Sequence, residues 1–199
     1  MIIEHEGVAP RIDPSAVVSP TAVISGDVRI GPDSQVLHGA VITAEGGSIE
    51  IGSSVIVMEN AVIRSSAANP VRIGDHCLIG PLSSISGATI GDEVFVATGV
   101  RIFNGAQIDR GSEVRINAIV HLRTHLGEGS TVPIGWVAVG DPAQILPSEA
   151  HEAIWAIQKD LDFPGYVFGL DRDTPDLMVQ LTERYSAALG RHRTDRPIA

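Results

Sequence analysis

The stretch IGDHCLIGPLSSISGATI, residues 73–90, decides the fold. Ile73, Ile79 and Ile85 stand six apart. A small residue follows each (Gly74, Gly80, Ser86), and a further compact residue comes four places on (Cys77, Ser83, Thr89). A helix repeats its apolar residues at three and four, and a half-buried strand at two. A step of six fits neither. It marks a parallel β-helix, in which each hexad supplies one short strand and one corner. The aliphatic residue and the compact one point into the prism, and the others face water or a neighbour.

The same register extends both ways. Upstream it runs through Ile12, Val18, Ile24, Ile30, Val36 and Ile42, and resumes at Ile51, Val57 and Ile63. Downstream, after one hexad shortened by a residue, it continues through Ile90, Val96, Ile102, Ile108, Val114, Val120, Leu126, Val132 and Ala138. This predicts about seven coils, a prism roughly 35 Å long at the usual strand spacing. Residues 1–11 lead in and cap the first coil. Two stretches break the step, AEGGSIE (44–50) and SSAANPVR (65–72). They follow the hexads begun by Ile42 and Ile63, so they are predicted to lie one above the other. Loops that leave a rigid scaffold are where binding groups concentrate.

The β-helix is assigned to residues 1–147, since Pro142 and Pro147 stop strand pairing. Residues 148–190 form a helical extension. Ser148 is predicted to cap a first helix with Ala150, Ile154, Ile157 and Leu161 on one face. Residues 162–173 read as irregular. Thr174 and Pro175 open a second helix that Gly190 ends. Its Leu177, Leu181 and Tyr185 are expected to be core contacts on the prism or a neighbouring subunit. Residues 191–199 read as a disordered polar tail.

Composition narrows the function. The 199 residues, 44% hydrophobic and only 4% aromatic, suffice for one core, and 21 glycines suit tight corners. Met1 leads into a polar start, so no signal peptide is expected, and no apolar run is long enough for a membrane span. One cysteine, Cys77, on an inward position, gives no disulfide framework. A cytoplasmic location is expected. The net charge of −10 argues against a nucleic-acid groove.

GDVRIGPDSQVLHGAVITAE, the later IGDHCLIGPLSSISGATIGDEV and the closing VAVGDPAQIL resemble the γ-class carbonic anhydrases. These are left-handed β-helix proteins related to the hexapeptide acyltransferases. The resemblance covers roughly residues 10–165. It implies the left hand of the coil, a homotrimer, and sites between neighbouring prisms. It also implies three histidines on a zinc ion that activates water. The matching positions here are Arg64, Pro81 and Ser86. A guanidinium cation, a proline ring and a lone hydroxyl do not make a zinc site. Around them, the family's Arg-Gly-Asp reads Thr43, Ala44, Glu45, and a glutamine that holds the bound water reads Met58. No metal or other cofactor is therefore expected at these positions.

The altered cleft suggests a metal-free site that binds a small, anionic molecule between subunits for acid–base or acyl chemistry, of lyase or hydrolase type. Arg64 is assigned the anion, Glu59 or His38 a proton transfer, and Ser86 a hydrogen bond or a nucleophilic role. Thr43, Glu45, Met58, Pro81, Phe103 and His121 are the expected substrate-side residues. An interface ion pair replacing the lost metal charge would equally explain Glu59 and Arg64. Three alternatives stay open. One is a CoA-dependent acyltransferase using His121 or His38 as base. Another is a non-catalytic trimeric scaffold, which the apolar Met58, Pro81 and Phe103 favour. The third is a zinc enzyme whose ligands have moved to His38, His121 or His125.

Overall fold

The structure, a computed structural model, describes residues 1–198. Three parallel sheets form the walls of a left-handed β-helix. The first wall holds the strands Ile2–Glu4, Val23–Ser25, Val41–Thr43, Val62–Arg64 and Ser84–Ser86, and continues to Val137–Val139. The other two walls have seven strands each. The hexad register holds rung by rung. Ile24, Ile42, Ile63 and Ile85 stack directly, with Ile63 opposite both Ile42 and Ile85. All four are 0% exposed. Each such side chain stabilises the prism by about 1.5–3 kcal/mol relative to an exposed position.

The prism has about eight coils instead of seven. The extra rung is Ile2–Glu4, which pairs in parallel with Val23–Ser25 although it precedes the first recognisable hexad. Thr89 is also displaced from its expected place. The hexad begun by Ile85 is one residue short, so Ala88 fills the interior at 1% exposure and Thr89 faces out. Cys77 is buried, and burial pushes its thiol up to about 11.

The two interrupting loops do stack. A Cβ on Gly47 would lie 2.2 Å from the carbonyl oxygen of Ser66, so only glycine permits this approach. Ser65 donates to the Gly47 carbonyl at 2.5 Å and accepts from the Glu45 N–H at 3.2 Å. This fixes the backbone on which Glu45 is carried.

The C-terminal region departs from expectation in detail. The first helix, α1, spans His151–Gln158 and begins after Ala150 without a side-chain cap, because Ser148 donates to Glu149 instead. Ile154 is its buried anchor. The segment read as irregular contains a short helix, α2, Phe163–Phe168. Helix α3 spans Leu177–Leu189. Thr174 and Pro175 do not open it. The Thr174 N–H bonds back to Asp171, and Asp176 in a left-handed conformation precedes the helix. Gly190 does not end the coil sharply either, since a 3₁₀ turn continues over Gly190–Thr194.

The expected disordered tail is instead folded back on the prism through residue 198. Arg196–Pro197 pairs antiparallel with Ile2–Glu4, using the free edge of the first wall, and Ile198 donates to the Ile2 carbonyl. Ala199, the last residue of that expected tail, lies outside the described residues. No helix among the described residues is long and apolar enough to cross a membrane.

Candidate functional site

Arg64 ends the strand Val62–Arg64, with Thr43 beside it on one rung and Ser86 on the next. All three sit where the wall gives way to the stacked loops. Helices α2 and α3 lie over this edge and line one side of a half-open cavity of about 470 Å³. Its prism side is Glu45, Arg64, Ser86 and Asn104. Its helix side is apolar, with Phe168, Leu170, Leu181 and Tyr185, and carries Arg184 and Arg191.

Aromatic contacts hold the lid. Phe163 meets Phe168 edge-on at 5.8 Å, and Phe168 meets Tyr185 at 6.1 Å. Arg64 lies over the Tyr185 ring at 5.6 Å. A further tie comes from Tyr166, whose hydroxyl donates to the Asn69 side chain at 2.8 Å, with Arg123 over its ring. Leu181 and Tyr185 line the cavity, Tyr185 in contact with Arg64 of the prism, and no residue of α3 is buried within the single chain.

Electrostatically the cavity is a mixed site. Arg64 pairs with Glu45 at 3.7 Å, and the Glu45 side chain is only 11% exposed. Glu45 also accepts from His192 Nε2 at 3.0 Å. Arg64 therefore shares its partner with a histidine and keeps donors for a ligand.

The residues predicted for the site divide into groups. Arg64, Ser86 and Glu45 line the cavity, with Thr43 next to Arg64 on the wall. Met58 and Pro81 line a separate apolar depression with Leu78, Phe95, Ile116 and Ile134. His38 is exposed on a corner, with Nδ1 2.6 Å from the Ser19 hydroxyl and 2.9 Å from that of Thr21. Glu59 is half-buried one coil along the same corner. Phe103 and His121 pack on each other at 5.9 Å. Burial lowers the His121 pKa, and its Nδ1 is buried without a hydrogen-bond partner. Within one chain His38 and Glu59 thus stand apart from Arg64.

The three positions that the resemblance matches to zinc ligands carry side chains that do not fit the metal. The Arg64 guanidinium is ion-paired and stacked, Pro81 belongs to the other depression, and Ser86 is left as the lone candidate donor. His125 hydrogen-bonds Asp109 at 2.8 Å and neighbours Asp141 at 3.4 Å, which accounts for it as a surface ion pair. Sequence reasoning missed Asn104, Arg184, Arg191 and His192. The signal available was slight. Arg184 and Arg191 are seven residues apart, two helical turns, and so fall near one face.

A family model described as the hexapeptide repeat of succinyl-transferase matches residues 70–103. The chain is 30% identical over 152 residues to γ carbonic anhydrase 1, mitochondrial, from Arabidopsis thaliana, covering 73% of this chain and 53% of that protein. It is 29% identical over 147 residues to an acyl-[acyl-carrier-protein]–UDP-N-acetylglucosamine O-acyltransferase from Saccharophagus degradans, covering 66% and 52%. The chain spans about half the length of these curated relatives. Among solved structures, a hexapeptide transferase family protein from Anaplasma phagocytophilum shares the fold, with a TM-score of 0.56 and 22% identity, covering 97% of this chain and 96% of that one. Taken with the hexad ladder and the motifs quoted above, the chain belongs to the γ-carbonic-anhydrase-like family of hexapeptide-repeat, left-handed β-helix proteins.

Proposed function

We propose that the cavity between the loop edge and helices α2 and α3 binds a small anionic molecule with an apolar portion, through Arg64, without a metal at the family position. The observation that carries this is the gathering of Arg64, Arg184 and Arg191 around one cavity, in a chain with 14 basic against 24 acidic residues. A carboxylate is the fitting headgroup, because a guanidinium fork matches two oxygens at once. Ser86 and Asn104 supply further hydrogen bonds from the prism. Phe168, Leu181 and Tyr185 cover the apolar part.

The chemistry proposed there is acid–base or acyl chemistry. Glu45 is the group placed to accept a proton, since it is largely buried and already within 3.7 Å of Arg64. It takes the role first assigned to Glu59 or His38. Those two reach a cavity of this kind only from a neighbouring prism. We therefore include a homotrimer in the proposal, with the apolar depression around Met58 and Pro81 covered by the next subunit.

Titration of small carboxylates and acyl thioesters into the wild type and Arg64→Ala tests this. Saturable binding by the wild type, weakened at least tenfold in the variant, is expected. Absence of binding by the wild type, or equal binding by both proteins, overturns it.

A further inference from the structure

We propose that His5, His192 and Asp195 form a binding site for a divalent transition-metal ion of zinc's class, outside the cavity and away from the three positions that align with the family's ligands. One ligand atom from each of the three lies within 4.8 Å of the others, the one such cluster of metal-binding side chains among the described residues.

The fold builds this site from both ends of the chain. In the antiparallel ladder of Ile2–Glu4 with Arg196–Pro197, Glu4 faces Arg196, so continuing the register sets His5 opposite Asp195. The 3₁₀ turn Gly190–Thr194 brings His192 over the same point. The two imidazoles stack at 4.5 Å between centroids. Asp195 stands between them, with Oδ1 2.6 Å from His5 Nδ1 and Oδ2 2.8 Å from His192 Nδ1.

A further observation points to a cation. His192 turns its far nitrogen to a carboxylate, Nε2 donating to Glu45 at 3.0 Å. Metal-ligating histidines are held in this way, the outer carboxylate fixing tautomer and ring orientation. His5 is 3% exposed and carries its Nδ1 to the same point, while its far nitrogen lies 3.6 Å from Glu6, beyond hydrogen-bond distance.

Two imidazoles and one carboxylate suit zinc and its neighbours, and leave a fourth position open. The ion would fasten the C-terminal segment to the N-terminal strand. Through His192 it would also fix Glu45 at the edge of the cavity.

The 199-residue chain, stripped with a chelator and titrated with Zn²⁺ and separately with Co²⁺, provides the test. A single ion bound per chain is expected, with the visible absorption of a nitrogen- and oxygen-ligated Co²⁺ site. His5 is buried and its truncation risks the N-terminal strand, so His192→Ala and Asp195→Asn carry the test. Both are expected to abolish stoichiometric binding. His125→Ala, which removes a histidine with two carboxylate neighbours elsewhere, is expected to leave binding unchanged. No stoichiometric ion in the wild type, or equal binding by His192→Ala, overturns the site. Carboxylate binding through Arg64 is read out separately, so either proposal can fail alone.

Discussion

At the scale of the residue, Arg64 shows how the wall places a side chain at the edge of the cavity. Its strand register against Thr43 and Ser86 is fixed by the Ile42–Ile63–Ile85 stack. Its guanidinium is held by Glu45 paired to it and Tyr185 beneath it. Glu45→Gln removes the competing carboxylate. A partly exposed pair of this kind is worth about 0–1 kcal/mol. The substitution is expected to tighten binding of a small carboxylate by up to about fivefold, as measured by calorimetry. The histidines of HLRTH provide a second residue-level prediction. His125 is held above the usual value of 6.5 chiefly by its hydrogen bond to Asp109, while burial lowers His121. A group raised in the folded state lends stability below its unfolded value and loses it as pH rises through the folded one. His125 thus favours folding at acid pH, by a small amount because it is exposed. His121 acts in the opposite sense: the unfolded chain takes its proton first, so stability falls as pH drops below 6.5. Imidazole titration by NMR should place His125 above and His121 below that value, and Asp109→Asn should bring His125 back down.

At the scale of the element, the walls of the prism were legible because one interaction repeats. Every inward aliphatic residue meets its equivalents above and below, so local pattern and tertiary contact coincide. The rung Ile2–Glu4 was hidden because it has no hexad before it, and its pairing comes from Val23–Ser25 on one side and the distant Arg196–Pro197 on the other. Helices α1 and α3 were legible as helices but not in their starts, and α2 was read as irregular chain. Ser148 and Thr174 are suitable caps by type, yet each makes a different local bond. The site was legible only on its prism side. Arg64, Ser86 and Glu45 are fixed by the ladder, whereas Arg184 and Arg191 reach the cavity through the docking of α2 and α3, which no periodicity encodes. That docking can be tested at Gly105. Its φ is +75°, and a Cβ there would lie 2.4 Å from the Tyr166 hydroxyl. Gly105→Ala should therefore both strain the backbone and displace the Tyr166–Asn69 bond, lowering stability by about 1–3 kcal/mol in a urea titration. Tyr166→Phe, which removes only the hydrogen bond, should cost about 1 kcal/mol. A neutral Gly105→Ala would show that α2 does not rest there.

At the scale of the whole molecule, the chain leaves one face apolar. Ile56 and Phe95 point out from the wall that holds them, and Leu82, Ile116 and Ile134 are exposed at its corners. A solenoid buries its interior rung by rung and does not need these residues there. The core stack is complete without them, with Val57, Ile79, Val96, Val114 and Val132 filling the inside of the same wall. Exposed aliphatic and aromatic side chains gathered around one depression mark an association surface. The far side of the prism is different, since α2, α3 and the tail already cover the edge of the first wall. One face meeting its own copy closes as a dimer, so the proposed ring of three requires this face to meet a different surface of the next copy. Phe95→Asp and Ile116→Asp each place a charge in that face without touching the core. Each is expected to shift the sedimentation of the protein from trimer to monomer while leaving its β-sheet circular dichroism intact. If binding of a carboxylate at Arg64 survives in the monomer, the cavity is complete within one chain. If it is lost, His38, Glu59 or another group of the neighbouring prism contributes to it. A wild type that sediments as a monomer would overturn the proposed assembly and leave the apolar face to a different partner.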